Sequence, residues 1–172
     1  MTIAARRIAG LVIAAIVVVA DQAIKAFVHH RSNIYEPLEI LPIFRLTYTQ
    51  NHGVSLGLFQ ADTVEMRIAL LLATLAIAIG VFVWIFRERR MLDIVALGLV
   101  LGGALGNIID RATIGYVTDY ADLHFGEFRP FLIFNLADVA ISTGVVIILA
   151  RSLFWHEKRE PAEPKRPAPE IH

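Results

Sequence analysis

Four runs of about twenty apolar residues constrain the fold of this 172-residue chain more than anything else in it. A helix rising 1.5 Å per residue needs roughly 20 residues to cross a hydrocarbon core of about 30 Å. The runs lie at about residues 8–27, 66–86, 92–109 and 131–154. In lipid a lone segment must satisfy its own backbone, which a helix does and an isolated strand does not. The 56% hydrophobic content also exceeds the roughly 45–50% of ordinary soluble domains. The expectation is an all-α membrane protein, a four-transmembrane-helix bundle. The first run could instead be a signal peptide, since Arg6 and Arg7 precede it and Val18-Val19-Ala20 loosely resembles a cleavage site. Its continuation through Ile24 and Phe27, with three more runs behind it, favours an uncleaved helix.

Arginines and lysines near the span ends set the orientation. An inside N-terminus places Arg6, Arg7, Arg87, Arg89, Arg90, Arg151, Lys158, Arg159, Lys165 and Arg166 on the cytoplasmic side. Lys25, Arg31, Arg45, Arg67, Arg111 and Arg129 fall on the other. Both termini are therefore expected to be cytoplasmic. Two outward segments remain, 29–65 and 110–130. In the first, Phe44, Leu46 and Tyr48 alternate with Arg45, Thr47 and Thr49, the period of a strand with one covered face. Asn51-His52-Gly53 then signals a turn. A small β-rich periplasmic platform is expected there. The four-span domain should occupy residues 1–155, and residues 156–172, with Pro161, Pro164, Pro167 and Pro169 among charges, read as a disordered cytoplasmic tail.

Lys plus Arg and Asp plus Glu are each 16, so no positive excess suggests a nucleic-acid partner. With no cysteine, disulfides, thiolate metal sites and a cysteine nucleophile are excluded. The six histidines lack the His-x-x-x-His spacing of zinc peptidases, and no Gly-x-Ser-x-Gly turn is present. Ser55 or Ser142 with Lys25 would be the poor remaining option for serine chemistry. Neither a metal nor another cofactor is expected.

An ionised residue at mid-bilayer costs about 2.5–3.5 kcal/mol on insertion scales, so each one invites an explanation. Asp21, Lys25, Asn107, Asn135 and Asp138 are the cases, with Asp21 and Asp138 each expected roughly 10 Å below the outer boundary. Asp21 and Lys25 share a helical face at i and i+4 and can form a structural ion pair, a role in chemistry being the alternative. Gly98, Gly102 and Gly106 form a small-xxx-small stripe for close helix packing. Asn107, Asp110 and Arg111 end that helix in a polar cluster, where Asp110 and Arg111 could cap, bind headgroups or serve a site. Asn135 and Asp138 share a face at i and i+3. Asp138 has no basic neighbour in its own helix, and its natural partner is Asp119 in the outward segment. Two carboxylates sharing a proton can split an amide, one activating water and the other polarising the carbonyl. The non-enzyme alternative, an ion-coupled transporter, is disfavoured by the lack of an inverted repeat and by acids that read as confined to one side.

The ordered set Asp21-Gln22-x-x-Lys25, Asn51-His52-Gly53-Val54-Ser55, Gly102-Gly103-Ala104-x-Gly106-Asn107-x-x-Asp110-Arg111, Val117-Thr118-Asp119-Tyr120 and Phe134-Asn135-x-Ala137-Asp138 resembles the lipoprotein signal peptidases, signal peptidase II. The resemblance covers about residues 8–155. It implies an aspartic endopeptidase of the bacterial inner membrane that removes the signal peptide from diacylglyceryl-modified prolipoproteins, cutting just before the lipidated cysteine near the periplasmic face. It implies Asp119 and Asp138 as the catalytic pair, with Asn51, Gly53, Asn107, Arg111 and Asn135 supporting the site or the substrate backbone, and Asp21 with Lys25 holding the first helix. The expected partners are diacylated prolipoproteins and membrane lipid, and the expected state is a monomer. Ser55-Leu56 and Tyr120-Ala121 depart from the family's frequent Ala-Phe and Phe-Ile, which bears on substrate fit.

Overall fold

The computed structural model describes residues 1–31, 36–53 and 63–154. The elements run α1 (Ile3–His29), β1 (Leu38–Leu41), β2 (Phe44–Asn51), α2 (Val64–Arg87), α3 (Met91–Thr113), β3 (Val117–Leu123) and α4 (Leu136–Phe154). All four helices are long and apolar enough to cross a membrane. Two begin under hydroxyl caps: Thr2 accepts from the Ala5 amide at 3.2 Å and Thr63 from that of Met66 at 3.3 Å. The three-residue turn between α2 and α3 closes on Glu88, whose carboxylate accepts the amides of Arg89 and Arg90.

Helix α3 is the axis of the bundle, because its glycines let two neighbours approach at backbone distance. A Cβ at Gly98 would sit 2.5 Å from the Gly10 carbonyl oxygen of α1, and one at Gly102 would sit 2.7 Å from that of Ala14. On another face, Gly103 abuts the Ala137 carbonyl of α4, while Gly144 of α4 returns the contact at Ala96 and Val100. These pairings make α1 parallel to α3 and α4 antiparallel to it. Ala14, Ala78, Ile85, Leu97, Leu101 and Ile108 form the buried core among α1, α2 and α3. Large side chains of α2 such as Leu72, Ile77, Phe82 and Trp84 remain exposed, as lipid-facing residues should.

The platform is a three-stranded antiparallel sheet in the order β1-β2-β3. As the alternation in β2 predicts, Phe44, Leu46 and Tyr48 pack on Val28, Tyr120 and Ala121. Arg45 and Thr47 meet Asp122 instead, Arg45 donating to its carboxylate at 2.8 Å. The part of the outward segment that holds Asp119 and Asp122 is thus a strand.

Two expectations need correcting. The fourth run is apolar from about residue 131, yet α4 begins only at Leu136. Phe134 is taken by β3, donating to and accepting from Ala121 at 3.1 and 2.7 Å. Asp138 therefore lies in the first turn of α4, not two turns into it. The intramembrane acids are also not confined to one side: Asp93, in the first turn of α3, is buried and paired with Arg151 at the opposite end of the bundle. Between Asp93 and Asn107 the α3 sequence is wholly apolar or glycine, so these two polar zones are not joined along that helix. The expected tail, 156–172, and Ser55 lie outside the described residues.

Candidate active site

A new helix exposes backbone amides with no intrahelical acceptor, and at α4 the first two are met from other elements and the third by the capping residue. Leu136 donates to the Tyr120 hydroxyl of β3 at 3.1 Å, Ala137 to the Asp21 carboxylate of α1 at 3.1 Å, and Asp138 to the Asn135 side-chain oxygen at 2.9 Å. The Asp138 carboxylate returns the bond, accepting from the Asn135 amide at 3.2 Å. This reciprocal arrangement is a capping box in which the N3 acid is Asp138. Asp21 gains from the positive end of the α4 dipole as well as from its amide.

Asp119 sits on β3 opposite Thr49, where β2 brings its last residue alongside. Asn51 donates to Asp119 Oδ2 at 3.0 Å and Asn135 to Oδ1 at 2.6 Å. Asn107 donates to Asp138 Oδ1 at 2.9 Å and accepts from Asn135 at 3.3 Å. The two acids are thus joined through a pair of carboxamides: Asp119, Asn135, Asn107, Asp138. The orientation of Asn135 is unambiguous, because its oxygen accepts the Asp138 amide and its nitrogen must face Asp119. Each oxygen of both acids accepts one donor and keeps a second lone pair.

Burial, and after it the nearby Asp138 charge, push the Asp119 carboxyl up to about 7 against the opposing hydrogen bonds from Asn51 and Asn135. Burial likewise pushes the Tyr120 phenol up to about 12, so its hydroxyl remains neutral under the Leu136 amide.

Beneath the acids, Lys25 organises a buried cluster. Its ammonium lies 2.8 Å from Asp21 and 2.9 Å from Asp110, and donates to Asn107 at 3.1 Å. All three of its protons are spent. Asp110 also accepts from Gln22 at 2.9 Å and from the Thr118 amide at 3.0 Å. Removing a Cβ at Gly106 makes room for Asp21, since one there would lie 2.6 Å from its carboxylate oxygen. That glycine serves the cluster as much as the helix packing. Arg111 donates to the Gly53 carbonyl at 2.9 Å, and Gly53 donates to the Asn51 side chain at 3.0 Å, an Asx turn that fixes the end of β2.

Every residue singled out in the sequence, Asp21, Lys25, Asn51, Gly53, Asn107, Arg111, Asp119, Asn135 and Asp138, falls in this one hydrogen-bonded region. Sequence reasoning gave Gln22 no role of its own, left Asp110 open between a cap, a headgroup ligand and a part of the site, and gave Tyr120 no structural part. The spacing of Asp110 three residues after Asn107 was the available signal for its place on the same face as Lys25's partners. Nothing local in the sequence signals Tyr120.

The profile of the signal peptidase II family matches residues 13–154. The lipoprotein signal peptidase of Sphingopyxis alaskensis is 44% identical over 159 residues, covering 91% of each chain. That of Rhizorhabdus wittichii is 45% identical over 156 residues, covering 90% of this chain and 91% of the relative. A solved bacterial membrane enzyme, determined by the in meso method at 2.3 Å resolution, superposes with a TM-score of 0.77 at 27% identity, covering 90% of this chain and 94% of its own. With its four spans, this chain therefore belongs to the signal peptidase II family, membrane aspartic peptidases that cleave signal peptides from prolipoproteins.

Proposed function

We propose that Asp119 and Asp138 are the catalytic pair of this peptidase, and that it cuts a prolipoprotein immediately before a cysteine already carrying a diacylglyceryl group. The observation that carries this reading is the joint placement of the two acids: Asp119 buried and Asp138 half-buried, linked through Asn135 and Asn107, and electrostatically coupled. A pair near an apolar boundary holds one proton between its members. The ionised member takes a proton from water, whose oxygen attacks the scissile carbonyl, and the protonated member donates to the carbonyl oxygen. Collapse of the tetrahedral intermediate breaks the C–N bond, and the proton drawn from water passes to the departing amine.

Asn51, Asn107 and Asn135 each give one amide proton to a carboxylate and so orient the acids, while Asn51 and Asn107 each keep a second N–H that can meet the peptide backbone. Arg111 and Gly53 hold the turn beside the pair, and Asp21 with Lys25 tie α1 to the start of α4. The signal helix would enter the bilayer beside the bundle, and the acyl chains would hold the cysteine at the depth of the acids, each buried CH₂ contributing about 0.8 kcal/mol. The arginine distribution supports a periplasmic active site with cytoplasmic termini, and one bundle contains the whole polar network, consistent with a working monomer. The test is incubation of the purified protein with a diacylated prolipoprotein. A shortened product beginning at the lipidated cysteine is expected, and an uncut substrate, or one cut equally well without its lipid, contradicts the proposal.

A further inference from the structure

The end of the bundle opposite the acids carries a second concentration of charge that the peptidase chemistry does not use. Arg6, Arg7, Arg87, Arg89, Arg90 and Arg151 gather there from the ends of all four helices, against Glu88 and Asp93 among the described residues. Both acids are engaged locally: Asp93 by Arg151, and Glu88 by the Arg89 and Arg90 amides. Arg6 donates to the Arg89 carbonyl at 2.8 Å, locking the start of α1 to the α2–α3 turn.

Arg7 differs from these. Its guanidinium carbon lies 6.0 Å from the Phe86 ring centroid, which holds the planar group in place by a cation–π contact. Its Nε is buried and has no hydrogen-bond partner, and Arg7 forms no ion pair among the described residues. A fixed cation with no acid paired to it among the described residues favours an anionic acceptor at the membrane boundary. Its Nη groups form a planar fork of N–H donors that matches two oxygens of a phosphate diester. A zwitterionic headgroup would bring its own cation into an arginine-rich surface, and an acidic headgroup would not.

We propose that this end of the bundle binds the phosphate of an anionic phospholipid, with Arg7 as its principal ligand and Arg6 and the α2–α3 turn forming the wall behind it. The site lies away from Asp119 and Asp138, so lipid binding here is separable from cleavage.

To test this, the whole protein is reconstituted in nanodiscs of phosphatidylcholine with a minor share of phosphatidylglycerol, and lipid retained after extraction is counted by native mass spectrometry. Wild type is expected to retain phosphatidylglycerol selectively. Arg7→Met, which preserves packing on Phe86, should reduce that retention about tenfold, the loss of one charge-assisted contact. Arg7→Lys should fall between, and Arg31→Gln at the other end should match wild type. Equal retention of the two lipids by wild type, or undiminished retention by Arg7→Met, overturns the proposal. Should Arg7→Met fail to fold, Arg7→Lys decides: reduced selectivity supports the site and unchanged selectivity overturns it. Inorganic phosphate added in detergent should leave thermal stability unchanged; protection equal to that by phosphatidylglycerol would make this a free-anion site and overturn the lipid assignment.

Discussion

Asp119 is held by two amide donors that favour its ionised form, yet burial and Asp138 outweigh them and push its carboxyl up to about 7. A carboxyl whose folded value lies above the unfolded one, roughly 3.9, stabilises the fold fully below the unfolded value and loses that contribution as pH rises through the folded one. Thermal stability of the wild type should therefore decline between about pH 4 and 7, and Asp119→Asn should flatten that slope. An identical slope in the variant would show that Asp119 does not titrate there. The cleavage rate at low substrate should be bell-shaped in pH, its alkaline limb belonging to the pair and lying near 7. A rate that climbs steadily through alkaline pH in the folded protein would rule out a shared proton. Lys25 makes a different kind of contribution. Lys25→Met strands the carboxylates of Asp21 and Asp110, and breaking such a buried arrangement costs about 3–5 kcal/mol. Reduced thermal stability and accumulation are expected; normal stability with lost turnover would move Lys25 into the chemistry.

Among the elements, α3 decides whether the site assembles, since its glycines admit α1 and α4 and its last turns carry Asn107, Asp110 and Arg111. Gly98→Ala should destabilise the protein by about 1–3 kcal/mol through overpacking on the Gly10 carbonyl. Gly80→Ala on α2, where a Cβ would meet nothing within 4 Å, should be neutral or stabilising. Equal melting shifts for the two would contradict the close α1–α3 approach. The spans and the glycine stripe were legible because hydropathy and small-residue spacing are local properties of sequence. The start of α4 was not, because an apolar run cannot reveal that Phe134 hydrogen bonds to Ala121 of β3. The strand character of 117–123 was hidden for the same reason: its residues are buried on both sides, so no alternation marks it. Asp93 escaped notice because its partner Arg151 lies 58 residues away.

At the scale of the whole molecule, one end of the bundle gathers two acids, three asparagines and a lysine-centred cluster, and the other gathers arginines. The carboxylates already receive amide and backbone donors, an arrangement suited to proton transfer without a bound cation. Chelators should leave cleavage unchanged, and loss of activity restored by zinc would require a metal mechanism instead. The central claim is that Asp119 and Asp138 together perform the hydrolysis, and the most direct measurement is the cleavage rate of a diacylated prolipoprotein by Asp119→Asn and Asp138→Asn in the same lipid environment, with helicity and melting checked in parallel. Each substitution should lower the rate by about a thousandfold while the protein remains folded. Near-wild-type cleavage by either folded variant would contradict the account.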